Sequence, residues 1–327
     1  MKKEITNEEL QKANQIIQNI MRYFQSKVVG QVYLGYSMLV ATMTNGHILL
    51  ESVPGLAKTT AAKTITEAFE ADFNRIQCTP DLLPSDIMGT QTYNMADHSF
   101  ETKIGPVNAN FVLLDEINRS SAKTQSAMLE AMQERVVTIG GKTYPLPNPF
   151  VVIATQNPVE QEGTYELAEA QLDRFLLKVK LQYPTPEEEL EILNRIEADV
   201  FSCTSSVVSL ADIHYLQSLC KQVYMDDAVK KYIVDIVQAS RNVEKVLPAE
   251  LSQYVAMGAS TRASIAFMEV SKAVALINGR NYCTPEDVRC MGRSILGHRL
   301  QLNFAAMADG VEAERIVDAI IGTVKTP

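Results

Sequence analysis

The sequence predicts an α/β fold: a five-stranded parallel sheet flanked by helices, followed by a smaller all-helical unit. Three observations predict it. Five short apolar runs alternate with helical stretches in the first part of the chain. Each run is nearly continuous in apolar character, as a strand covered on both faces would be. Beyond residue 183 the spacing is helical and no comparable run follows.

From the amino end, residues 6 to about 24 read as an amphipathic helix. Leu10, Ile16, Ile17, Ile20, Met21 and Phe24 recur at helical spacing. Thr6 and Glu9 supply the T-x-x-E pattern of a capping box. Val28-Val-Gly-Gln31 breaks the pattern, and a second helix follows to about Thr44. The five strand runs are residues 47–50, 73–78, 111–114, 150–155 and 176–181. Between 135 and 145, Gly140-Gly141 separates two alternating runs, a hairpin signal. At Pro184 the character changes: two prolines and Thr185 precede a helix from about Pro186. This divides the chain into domains 1–183 and 184–327.

Charge and cysteine usage exclude several functions. The formal net charge of -9 argues against nucleic acid held by bulk electrostatics and against an anionic membrane surface. Cys78, Cys203, Cys220, Cys283 and Cys290 form no C-x-x-C pair, and the four histidines show no metal spacing. Reduced thiols in a cytoplasmic protein are expected. The amino-terminal stretch is a charged helix rather than a signal peptide, and no apolar run approaches bilayer length.

Chemistry concentrates where strands end. In HILLESVPGLAKTT (47–60) an apolar strand leads through Pro54-Gly55 into a helix. A phosphate loop uses backbone N–H groups and a helix N-terminus to hold an anion, a lysine to neutralise it and a hydroxyl to hold Mg²⁺. Lys58 and Thr59 fit those roles, although Ser52 and Ala57 stand where the loop pattern has glycine. A lone Lys-Thr after a strand also fits an ordinary capped helix. Downstream, 111–114 ends in Asp115-Glu116, two acids at the sheet edge where ligands bind in parallel α/β folds. Asp115 suits a metal ion held through water, and Glu116 suits a base acting on water. The strand 150–155 leads to Asn157. Arg174 precedes the last strand, and Arg262 opens a helix beyond it. Taken singly, each of these also fits a turn residue or a surface ion pair.

Together and in this order, the five elements resemble the AAA+ ATPases, and the MoxR family in particular. The resemblance is carried by VVGQ at Val28, VPGLAKT at Val53, LLDEINR at Leu113, KTQSAMLEAMQERVVTIGG at Lys123, ATQNPVEQEGTYELAEAQLDRFL at Ala154 and GASTRA at Gly258. It runs from about Gln25 to near Leu300. It implies ATP and Mg²⁺ held by Ser52, Val53, Pro54, Gly55, Leu56, Ala57, Lys58, Thr59 and Thr60, with the metal on Thr59 and Asp115. Val29 and Gly30 would lie beside the adenine. Glu116 would activate water, Asn157 would be the first sensor, Arg174 a finger offered to a neighbouring subunit, and Arg262 a second sensor on the lid, in cis or in trans.

The resemblance also implies an inserted hairpin between 81 and 106, a ring of copies with a hexamer expected, and a von Willebrand A-domain partner matured or remodelled by the motor. A chelatase-like motor subunit would use the same motifs; a nucleotide-binding scaffold without turnover has only the altered loop in its favour, and Glu116, Asn157 and Arg174 count against it. Two departures stand out. Ser52 is usually glycine in the family, and Tyr-Pro-Leu-Pro is here Tyr165-Glu-Leu-Ala168. An alanine or serine at positive φ costs about 1 kcal/mol or more, so a working loop requires Ser52 and Ala57 at negative φ.

Overall fold

The computed structural model describes residues 4–52, 55, 58–96, 98–158, 163–198 and 207–327. Helix α1 (Asn7–Lys27) starts at the expected box: Glu9 N–H donates to Thr6 Oγ1 at 3.2 Å, and Thr6 N–H to the Glu9 carboxylate at 2.9 Å. Helix α2 (Val32–Thr44) follows. Then come β1 (Ile48–Glu51), α3 (Lys58–Glu67), β2 (Phe73–Gln77), α4 (Pro84–Met88), β3 (Gly89–Asn94), β4 (Ser99–Ile104) and β5 (Phe111–Asp115). Next are α5 (Ala122–Glu134), β6 (Val136–Ile139), β7 (Lys142–Pro145), β8 (Val151–Gln156), α6 (Glu169–Leu172) and β9 (Leu177–Lys180).

The five apolar runs form one sheet in the order β2-β5-β8-β1-β9, with every pair parallel. Both faces of the central strands β5, β8 and β1 are buried, by alternation along each strand, whereas the edge strands expose Arg75 and Gln77 on β2 and Lys180 on β9. Ile48, Leu50, Phe111, Leu113, Ile153 and Val179 face one apolar cluster. Leu49, Val112, Leu114, Val152 and Ala154 face the other, which α5 covers. The two hairpins stay outside this sheet. Strands β3 and β4 pair with each other, as do β6 and β7. Gly140 and Gly141 both take positive φ, 57° and 78°, as a two-residue hairpin turn requires. The ribbons touch through Tyr144, whose hydroxyl reaches Thr102 Oγ1 at 3.3 Å.

The second half is α7 (Pro186–Glu197), α8 (Leu210–Gln222), α9 (Asp227–Arg241), α10 (Val243–Val246), α11 (Ala249–Ser252), β10 (Val255–Met257), α12 (Thr261–Ile277), α13 (Pro285–Cys290), α14 (Gly292–Leu296), β11 (Gln301–Leu302), α15 (Phe304–Ala308) and α16 (Ala313–Thr323). Thr185 caps α7 as expected, accepting from Glu188 N–H at 3.3 Å. Two findings differ from the all-helical expectation. Strands β10 and β11 pair antiparallel, but with two or three residues each they are too short to show a period. The amino-terminal helices also do not belong to the sheet alone. Helix α2, apolar nearly all round, lies between β1 and β9 on one side and α8 and α12 on the other. One continuous apolar cluster therefore joins the sheet face, α1, α2 and the later helices.

The helical half is fastened to the sheet by a buried ion pair. Arg299, 3% exposed at its side chain, meets Asp173 at 2.9 Å. It also donates to the carbonyls of Phe175 at 2.6 Å and Leu176 at 3.2 Å. Ser260, the N-cap of α12, donates to the same aspartate at 2.7 Å. Removing one partner of such a pair strands a buried charge, so Arg299→Ala is expected to cost about 3–5 kcal/mol. Urea unfolding measures it, and an unchanged midpoint would refute the assignment.

Buried thiols are inert here: burial pushes Cys78, Cys220 and Cys283 up to about 12. Burial acts in the opposite direction on His47, lowering it to about 3, with Arg135 adding to the effect. Val152 N–H donates to His47 Nδ1, so the proton sits on Nε2, facing the Met132 carbonyl at 3.0 Å. The folded state therefore excludes a second proton that the unfolded chain takes up below about 6.5. This stability is complete above pH 6.5 and is lost as pH falls towards 3. At pH 5 the loss is about 2 kcal/mol. Stability curves for wild type and His47→Gln should differ in slope between pH 6.5 and 4; parallel curves would exclude the effect.

Candidate active site

The strand ends bring the predicted acids together at the carboxyl edge of the sheet. Strand β5 ends at Asp115, and its neighbour β8 ends at Gln156, next to Asn157. Asn157 is buried, and its carbonyl accepts from Asn118 Nδ2 at 3.3 Å. Across β1, helix α3 begins at Lys58. Lys58 is buried, with Nζ 3.5 Å from the Ser52 carbonyl. Thr59 Oγ1 lies 3.4 Å from Asp115 Oδ2, while Thr60 is exposed. Ser52 is absent from the positive-φ residues and its N–H donates to the Gln156 carbonyl at 3.1 Å, as a working loop requires of it. Gly55 takes φ 86°, a conformation open to glycine and strained for other residues. Val53, Pro54, Leu56 and Ala57 lie outside the described residues, so the Ala57 expectation has no structural answer.

Thr155 ties the two acids together. Its hydroxyl donates to Asp115 Oδ1 at 2.7 Å and accepts the Glu116 N–H at 2.8 Å. Glu116 adopts φ 58° and ψ 53°, left-handed for a residue with a Cβ. Such backbone costs of order 1–3 kcal/mol and persists where surrounding bonds over-determine it. The Glu116 carboxylate accepts from Arg119 and from Gln77 Nε2, both at 3.1 Å. Arg75, on the same strand as Gln77, donates to Asp115 Oδ2 at 2.6 Å. Thr155, Gln77 and Arg75 were not singled out from the sequence. Their signal is register: β2 pairs with β5 so that Gln77 lies level with Asp115.

The donor set suits Mg²⁺. Thr59 and Asp115 offer a hydroxyl and a carboxylate, both hard oxygens, and Mg²⁺ is held by one or two protein oxygens alongside phosphates and water. No cluster of three or more His, Cys, Asp or Glu among the described residues is placed to hold a metal ion.

The arginines lie elsewhere. Arg174 and Arg262 line a cavity of about 230 Å³ beside Gly46 and His47, at the start of β1. Lys58 and Thr59 follow its far end, and β1 spans four residues, roughly 13 Å of strand. Arg262 reaches Asp173 at 3.6 Å. Arg174 Nε is buried with no hydrogen-bond partner among the described residues. Neither arginine therefore joins Thr59, Asp115, Glu116 and Asn157 within this chain. Val29 is half-buried, and Gly30 borders a second cavity of about 830 Å³ between the start of α2, the end of β9 and α14. Gly30 takes φ 73°, and a Cβ there would meet the Glu188 carboxylate at 2.5 Å. The departure at 165–168 leaves the segment anchored. Tyr165 N–H donates to the Asn118 carbonyl at 2.6 Å, and its own carbonyl accepts from Gln125 at 3.0 Å.

The profile of the family described as "ATPase family associated with various cellular activities (AAA)" matches residues 47–177, and the "AAA lid domain" profile matches 249–320. "Chaperone MoxR1" of Mycobacterium tuberculosis is 45% identical over 300 residues, covering 92% of this chain and 79% of that protein. "Uncharacterized protein YeaC" of Bacillus subtilis is 44% identical, covering 92% and 91%. A crystal structure from Cytophaga hutchinsonii, described as a candidate ATPase, superposes with TM-score 0.91 at 45% identity, covering 98% of this chain and 97% of that one. With identity at this level along nearly the whole chain, and the strand-end residues in place, the chain belongs to the MoxR family of AAA+ ATPases.

Proposed function

We propose that this protein hydrolyses ATP with Mg²⁺ in a ring of identical copies and uses the cycle to remodel partner proteins. One observation carries the reading: Lys58, Thr59, Asp115, Glu116 and Asn157 gather at one end of the sheet, and Arg174 and Arg262 at the other. A complete site then needs two copies meeting head to tail, and a head-to-tail contact that closes makes a ring. A hexamer is the expected size.

In this reading Lys58 Nζ leaves the Ser52 carbonyl for the β- and γ-phosphates. Thr59 and Asp115 would hold Mg²⁺, which would supply neutralising charge for the phosphate oxygens. Asn157 orients the attacking water, and the Glu116 carboxylate takes its proton. Arg174 and Arg262 of the next copy meet the charge that develops on the transferred phosphoryl group. Arg262 thus acts in trans, because it shares the cavity with Arg174 and stands at the far end of β1 from its own loop. The partner is a von Willebrand A-domain protein, as the family resemblance implies, and no nucleic acid is engaged. The protein works in the cytoplasm; no helix among the described residues is long and apolar enough to cross a membrane.

Hydrolysis is expected to rise steeply with protein concentration. Glu116→Gln should lower the rate by about 100-fold or more, and Arg174→Ala by about 1,000-fold. Both should bind a fluorescent ATP analogue within about twofold of wild type, since neither group holds the nucleotide in the ground state. Mixing the two variants should restore part of the rate, because mixed rings contain interfaces with an intact Glu116 and an intact Arg174. Full activity of Arg174→Ala alone, or no recovery on mixing, would remove the trans assignment.

A further inference from the structure

The proposed hydrolysis gives Arg75 no role, yet this residue holds the oxygen assigned to the metal. Its Nε and Nη2 lie 3.2 and 2.6 Å from Asp115 Oδ2. That same oxygen faces Thr59 Oγ1 at 3.4 Å. The other carboxylate oxygen is taken by Thr155 at 2.7 Å. A cation held at Thr59 and Asp115, directly or through water, and the guanidinium of Arg75 therefore draw on the same carboxylate oxygen.

The two groups differ in how freely they can leave. The Asp115 side chain is 9% exposed and that of Arg75 is 49% exposed. A buried carboxylate without a cation is costly, whereas a half-exposed guanidinium re-enters water readily. The contact also extends to the second acid. Arg75 and Gln77 share a face of β2. Arg75 Nη2 donates to Gln77 Oε1 at 2.9 Å, and Gln77 Nε2 donates to Glu116 at 3.1 Å. Asp115, Arg75, Gln77 and Glu116 form one relay.

We infer that Arg75 is a built-in counter-ion that occupies Asp115 until Mg²⁺ arrives with the nucleotide, and that it swings out to solvent when the metal is seated. It is a positioning residue, acting through Asp115, and it sets how much Mg²⁺ the protein needs. Its departure also frees Gln77 Oε1, so metal seating is reported to Glu116 through a single amide. The inference rests on the Mg-ATP reading above.

Binding of a fluorescent, non-hydrolysable ATP analogue to the full chain tests it, in EDTA and across a Mg²⁺ series. Arg75→Ala and Arg75→Gln should lower the Mg²⁺ concentration for half-maximal binding by about fivefold, the upper range for a partly exposed ion pair. Affinity in EDTA should stay within about twofold, and Arg75→Lys should behave like wild type. Thermal melts separate this from a merely structural role. The uncharged variants should melt lower than wild type in EDTA and at the wild-type temperature with Mg²⁺ and the analogue, because the contact is then broken in both proteins. A lower melt in both conditions, or an unchanged or increased Mg²⁺ requirement, would overturn the inference while leaving the ATPase reading intact. Failure of wild type to bind the analogue with Mg²⁺ would overturn both.

Discussion

The geometry of the molecule depends on the buried contact between Asp173 and Arg299. A guanidinium this enclosed is tolerable only when its donors find acceptors, and here a carboxylate and several carbonyls supply them. Asp173 is one residue from Arg174, and its other oxygen is bound by Ser260, two residues from Arg262. A single aspartate thus fixes the short segment before β9 and the start of α12 in one place. The helical half has no comparable choice of seat. With α2 wedged between the sheet and α8 and α12, its apolar contacts continue those of the sheet.

That seat determines what one copy lacks. The sheet acts as a spacer, with Lys58 and the acids at one end and Arg174 and Arg262 at the other. Strands are stiff and both faces are packed, so no local rearrangement brings the two ends together. In the proposed function, a lid resting over the loop before Lys58 would let Arg262 complete the site from within. Its anchorage to Asp173 instead commits both arginines to the same side, and this makes the neighbour in the proposed ring part of the chemistry rather than a source of stability alone.

Much of this was legible in the sequence, for identifiable reasons. Strands buried on both faces read as apolar runs, and all five predicted runs became the sheet. Thr6 with Glu9, and Thr185 with Glu188, are local devices whose partners lie three residues apart, so a linear reading finds them. Gly140-Gly141 announced its hairpin through the positive φ that both positions need. What escaped depends on register and packing. Arg75 sits in Phe73-Asn-Arg-Ile-Gln77, read as one more strand covered on both faces, yet β2 is an edge strand of the sheet with Arg75 and Gln77 exposed. Only the pairing of β2 with β5 puts its guanidinium on Asp115. Thr155 looked like the end of a strand, yet its hydroxyl joins the Asp115 carboxylate at the end of β5 to the backbone N–H of Glu116 just beyond it. The sharing of a core between α2 and the later helices is equally invisible, since an apolar helix does not name what covers it.

The left-handed backbone at Glu116 shows why the two acids can serve one site. Successive residues of a strand point to opposite faces. A strand continued through Glu116 would have sent its carboxylate away from that of Asp115. Arg75 and Gln77, on one face of β2, nevertheless reach one acid each. The turn at Glu116 must therefore bring its side chain round to the Asp115 side. The cost is that of one strained residue, about 1–3 kcal/mol, offset by the Thr155 hydroxyl that accepts its N–H and donates to Asp115. Strain and hydroxyl belong together: the bond to Thr155 holds the turn alongside the Arg119 N–H bond to the Glu116 carbonyl and the contacts of its carboxylate with Gln77 and Arg119. Without the turn, the residue suited to activating water and the residue suited to the metal would face apart.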